Sequence, residues 1–171
     1  MNEDDEKDFV LNIYYSTKGN LDQINAAIDA RVQGNRTRKI TVFENFIISR
    51  LSMNPKILKM PNMEISPVEA TYLSIYPGID RIEVLDLRQN FIGDEGTRAL
   101  AISPLLKGLK SLDLRSNLIT RQGLLALIAS KNMGKLEILD LRLNKLGGQL
   151  WLERLNKSGN FNDLLELKIG G

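Results

Sequence analysis

Apolar side chains recur along this chain in a fixed cycle. Ile82, Leu85, Leu87 and Ile92 are matched by Leu109, Leu112, Leu114 and Ile119, then by Leu136, Leu139, Leu141 and Leu146, each set 27 residues after the last. An Asn holds one place in every cycle, as Asn90, Asn117 and Asn144. A constant period of this size marks stacked structural units rather than one globular core. Within a cycle the apolar pairs alternate with period two, which predicts a short strand that turns Leu85 and Leu87, and their counterparts, to one face. The Asn then turns the chain, because its amide satisfies backbone groups that a tight corner leaves unpaired.

Beyond each corner the spacing becomes helical. One helix is predicted from about Asp94 to Leu106, with Asp94 as its N-cap and Ala99, Leu100 and Ile102 turned toward the strands. The next begins near Thr120 and carries Leu124, Leu125, Leu127 and Ile128. Upstream, Leu58, Met60 and Ile65 keep the register but Met63 takes the Asn place, so residues 55–81 read as a degenerate first unit. Its helix opens on the capping box Ser66-Pro67-Val68-Glu69, with Pro at the first helical position, and is expected to stop near Ser74, before Pro77-Gly78. Residues 82–163 form the regular units, and Leu164, Leu167 and Ile169 restart the strand pattern over residues 164–171 after a step of 28.

Residues 9–54 stand outside the cycle. Asn20-Leu21-Asp22-Gln23 opens an amphipathic helix that Gly34-Asn35 breaks, and Thr41-Val42-Phe43-Glu44 reads as a capping box ahead of Phe46, Ile47, Ile48 and Leu51. Phe9 to Tyr15 fits either a strand or a short helix. Stacked units need a terminal element over their first apolar edge, and a helical N-terminal cap is the role expected of this segment. Residues 1–8 carry five acids and one Lys, and read as a solvated tail.

The recurring Leu-x-x-Leu-x-Leu-x-x-Asn-x-apolar places resemble the leucine-rich repeat family, and the 27-residue unit with a helix resembles its ribonuclease-inhibitor-like class. Gly93-Asp94-Glu95-Gly96-Thr97-Arg98-Ala99-Leu100 is similar to the helix segment of that class in bacterial repeat proteins. The resemblance implies a short α/β solenoid, with parallel strands on a concave face and helices on the convex one. It also implies binding of proteins, because similar repeat proteins include enzyme inhibitors and activators of small GTPases.

Composition narrows the chemistry. The chain has no Cys and no His among its 171 residues, which removes disulfides, thiol nucleophiles, imidazole bases and zinc-finger ligand sets. No Gly-x-x-x-x-Gly-Lys phosphate loop is present, no catalytic constellation accompanies the carboxylates, and neither a cofactor nor a metal is expected. The N-terminal residues do not read as a secretory signal, and no apolar run approaches the roughly 18 residues of a membrane span, so a cytoplasmic protein with no membrane role is the simplest expectation. The net charge of +2 divides into −4 over residues 1–8 and +6 over the rest.

If Leu85 and Leu87 face inward, Val84, Asp86 and Arg88 face outward, as do Ser111, Asp113 and Arg115, then Ile138, Asp140 and Arg142. The open face thus carries a column of three Asp beside a column of three Arg. Two readings follow: a neutral, self-paired lattice, or a pre-organised docking face for a protein partner. The Asn column reads as structural, and Tyr14, Tyr15, Tyr72, Tyr76 and Trp151 as packing residues.

The leading expectation is a non-catalytic protein-interaction module that uses these nine outward residues. A regulator of an enzyme, by inhibition or by small-GTPase activation, is the first alternative. The second is nucleic-acid binding through Arg31, Arg36, Arg38 and Lys39, although without interleaved aromatics these read first as a solvated loop. The open edge of the strand at residues 164–171 also suggests self-association or a covering partner.

Overall fold

A computed structural model describes residues 40–147 and 163–170. The chain divides into two compact units, Met1–Ser49 and Arg50–Gly171. Of the first, only the start of α1 (Ile40–Met53) is described; the expected acidic tail, most of the N-terminal cap, the basic cluster at Arg31 to Lys39, Tyr14 and Tyr15 lie outside the described residues, as does Trp151. Helix α1 buries Ile40, Phe43 and Ile47 at helical spacing. Thr41 is therefore inside the helix and is not its N-cap, because the helix starts early enough to put Ile40 on the buried face.

The second unit is an alternation of strand and helix repeated along the chain. Strands β1 (Ile57–Lys59), β2 (Val84–Asp86), β3 (Ser111–Asp113), β4 (Ile138–Asp140) and β5 (Glu166–Lys168) form one parallel sheet in chain order. Leu58, Leu85, Leu112, Leu139 and Leu167 lie in one register across it, so the degenerate first unit and the longer final step both keep the pattern. The first four of these leucines are fully buried, while Leu167 on the last strand is partly covered. Helices α2 (Pro67–Ile75), α3 (Gly93–Ile102) and α4 (Arg121–Ile128) pack side by side behind the sheet. None of the described helices is long and apolar enough to cross a membrane.

Each Asn ties three segments together. Asn90 Oδ1 accepts from the N–H groups of Met63 and Ile65 in the preceding unit, at 2.9 and 3.0 Å. Its Nδ2 donates to the carbonyls of Met60 and Leu87, at 3.0 and 2.7 Å. Asn144 repeats the arrangement with Asn117 N, Ile119 N, Leu114 O and Leu141 O. The corner amide thus satisfies its own turn and the one stacked before it.

Helix α3 begins and ends differently from expectation. Asp94 is not the N-cap of α3, which Ile92 precedes without a side-chain cap. Its carboxylate instead reaches into the next unit, where Oδ1 accepts from Thr120 N and Gly123 N, and Oδ2 accepts from Thr120 Oγ. Helix α3 ends at Ile102 rather than Leu106, because Pro104 holds Ser103 in extended backbone and a separate 3-10 turn follows over Pro104–Leu106. The buried face consequently carries Leu100 and Ala101, and Ile102 is exposed. In α4, Leu124 and Leu127 are buried but Leu125 is exposed. Helix α2 does open on the Ser66–Glu69 capping box with Pro67 at its first turn, and it runs to Ile75.

Candidate functional site

The strand register places the nine outward residues as three columns on one face. Val84, Ser111 and Ile138 are aligned, Asp86, Asp113 and Asp140 are aligned, and Arg88, Arg115 and Arg142 follow two residues after each Asp. The face continues onto Ile57 and Lys59 at one end and Glu166 and Lys168 at the other.

Alternation misjudged the exposure of the carboxylates. Asp86 and Asp140 are only 8% and 6% accessible although they point to the open face. Each Asp is short enough to fold back on its own corner, where Oδ1 accepts the N–H of Arg88, Arg115 or Arg142 at 3.1 to 3.2 Å. This is the local Asx-type bond that spares a turn an unpaired donor. The longer arginines then roof the carboxylates. Arg115 grips Asp113 with Nε and Nη2, the latter at 2.6 Å, and its Nε lies 3.3 Å from Asp140 in the next unit. Arg142 holds Asp140 through Nε at 3.0 Å and Nη2 at 2.7 Å, whereas Arg88 Nε stands 3.7 Å from Asp86, beyond a direct hydrogen bond. Burial alone disfavours the Asp140 charge, but the side-chain and backbone bonds from Arg142 outweigh it and hold the carboxyl below its ordinary range.

A second charge ladder flanks the first. Lys56, Glu83, Lys110 and Glu137 stand 27 residues apart with alternating sign, and Lys56 Nζ and Lys110 Nζ reach the two oxygens of Glu83 at 2.7 and 2.9 Å. The signal was present in the sequence, as alternating charge at the repeat period, but it sits outside the strand triplets on which the columns were built. The hydrogen bonds from the two lysines lower the Glu83 pKa to about 2, from 4.5. A depressed carboxylate pKa adds stability that is complete above the unfolded value and disappears as pH falls through the folded one. Comparing the thermal midpoints of wild type and Glu83→Gln should therefore show a gap at neutral pH that closes between about pH 4.5 and 2, and that shrinks in 1 M salt because the group is exposed to solvent screening. A gap that persists at pH 2 would contradict the ladder as the cause.

Both ladders and the Asn column repeat once per unit, and the sequence matches a family model at two of those units. Residues 82–101 and 109–127 match the model described as Leucine Rich repeat. Those two units are leucine-rich repeats. Each matched stretch runs from the residues just before a strand, through its Asn corner, into the helix behind it. Among solved structures, this repeat protein is similar in fold to "Leiomodin-1 Actin-Binding Site 2 (ABS2)", with a TM-score of 0.56 and 20% identity over 75% of this chain and 79% of that one. No curated protein sequence matches it significantly.

Proposed function

We propose that this leucine-rich repeat protein is a non-catalytic interaction module that seats a protein partner on its open strand face. The observation that carries the reading is the Arg–Asp lattice. Two guanidinium forks, those of Arg115 and Arg142, are held on one sheet by carboxylates that are themselves fixed to the backbone, so little of their side-chain freedom is left to lose when a partner docks. Between the two charge ladders runs the uncharged column of Val84, Ser111 and Ile138, an apolar strip framed by polar groups, which is the usual layout of a protein interface. The similar fold in leiomodin-1 is titled as an actin-binding site, which supports a protein as the class of partner.

The test places a cation in the middle of the strip with one variant, Ser111→Arg, which leaves both ladders in place, and reverses the charge of the lattice's central arginine with the other, Arg115→Glu. Ser111→Arg and Arg115→Glu are compared with wild type in chemical cross-linking and affinity purification from the native cell extract, after melting curves have shown that both variants fold. The expected result is one protein held by wild type and reduced at least tenfold by each variant. Retention of every captured protein by both variants would exclude this face.

A further inference from the structure

The strand-to-helix corners carry a strain that the repeat does not require. Leu118 and Leu143 adopt φ of 60° and 59°, the left-handed region in which a branched side chain crowds the backbone and Asn or Gly is the unstrained choice. Both are also exposed, at 50% and 64%, and Phe91, which holds the place of Leu118 one unit earlier, is 53% exposed. Polar residues serve at the same places elsewhere: Asn62, Gln89 and Ser116 at the corner that Leu143 occupies, and Glu64 at that of Leu118. Neither packing nor backbone geometry therefore selects leucine here. Apolar groups that are strained and exposed together point to something that covers them.

The charge at the same corners says what. Side chains of Arg88 and Arg142 are each 43% accessible, against 11% and 8% for the Asp beneath them. The lattice is neutral in sum, yet what it presents at the rim is cationic. We propose that this rim is a docking surface for an extended protein segment in which acidic residues alternate with apolar ones. Repeat units advance by about 4.8 Å, and every second residue of an extended peptide by about 6.6 Å, a mismatch that the loosely held Arg88 and the peptide's own side chains absorb. Carboxylates on one side of the segment meet the guanidinium row as charge-assisted, forked pairs, and side chains on the other side lie over Phe91 and Leu118, with Leu143 two residues before the matching place, which Lys145 holds. A nucleic acid would satisfy the arginines but would find, among the described residues of this rim, a single aromatic ring to stack on, so the exposed leucines favour a peptide.

The inference rests on the interaction reading and names the chemistry of its partner. It is tested on the full chain with a fluorescein-labelled, end-capped octapeptide of alternating Glu and Leu, by fluorescence anisotropy. Saturable binding is expected. It should weaken at least tenfold in the double variant Leu118→Asn/Leu143→Asn, which relieves the backbone and so should melt no lower than wild type, and at least threefold in Arg88→Glu, whose loose contact with Asp86 makes it dispensable for folding. Absence of binding, unchanged binding by the double variant, equal binding of an alternating Lys–Leu peptide, or tighter binding of a single-stranded DNA of similar length would each overturn the proposal. A partner that Ser111→Arg releases and Leu118→Asn/Leu143→Asn retains would overturn the rim while leaving the interaction reading intact.

Discussion

Replacing Asn90 with Ala is expected to destabilise the protein by about 3 kcal/mol, which for a chain of this size lowers the thermal midpoint by roughly 6–12 °C. The side chain is 2% exposed and makes bonds of 2.7 to 3.0 Å to four backbone groups. The Leu87 carbonyl keeps a second donor, Asn117 Nδ2 at 2.8 Å, so it is not orphaned. The buried N–H of Ile65 and carbonyl of Met60, and the half-buried N–H of Met63, lose the amide that met them, and a fully buried group costs about 1–3 kcal/mol if no water replaces its partner. Water entering the vacated space lowers the total toward the figure given. Asn144→Ala should cost visibly less, because that side chain is only partly buried and solvent reaches its partners. Chemical denaturation of the two variants decides the matter: equal losses would show that the amides act through something other than burial of the corner.

Much of this fold could be read from period alone. Two apolar residues at alternate positions, repeated at 27, are enough to fix a strand, its inward face and its alignment with the next strand, and the coordinates keep Leu85, Leu112 and Leu139 in that register. The columns of the open face follow by necessity. What a local reading misses is anything whose partner lies one unit away. Asp94 looks like an N-cap because it is a short acid beside a helix start, yet its acceptors serve Thr120 and Gly123, 26 and 29 residues on. Exposure fails for a related reason. Alternation gives the direction of a side chain and not what neighbouring long side chains do above it, so it puts Asp86 and Asp140 on the right face but does not reveal that they are buried there. The end of α3 turns on the residue before Pro104, whose backbone preference overrides the helical pattern of Leu105 and Leu106.

The cross-unit cap also reverses a standard expectation about glycine. Gly123 lies in α4, where Ala is preferred over Gly by about 1 kcal/mol, yet Gly123→Ala is expected to destabilise by about 2 kcal/mol. A methyl group there would stand 2.6 Å from Asp94 Oδ1, 2.7 Å from Ile119 Cγ2 and 3.3 Å from Asp94 Cα. A flexible carboxylate would normally swing aside, but this oxygen is held by Thr120 N at 2.7 Å and Gly123 N at 2.9 Å, so moving it forfeits the cap on α4. Gly96, 27 residues earlier, is closed in the same manner by Ile92 Cγ2 and Ala70 Cβ, which makes close approach of successive helices a property of the repeat rather than of one site. A double-mutant cycle separates the two costs. With Asp94→Ala already in place the cap is gone and the nearest obstruction is removed, so adding Gly123→Ala should cost less than it does in wild type, by at least 0.5 kcal/mol on the scale expected of residues in contact. Strictly additive losses would mean that Gly123 answers to Ile119 alone and that Asp94 does not set the spacing between α3 and α4.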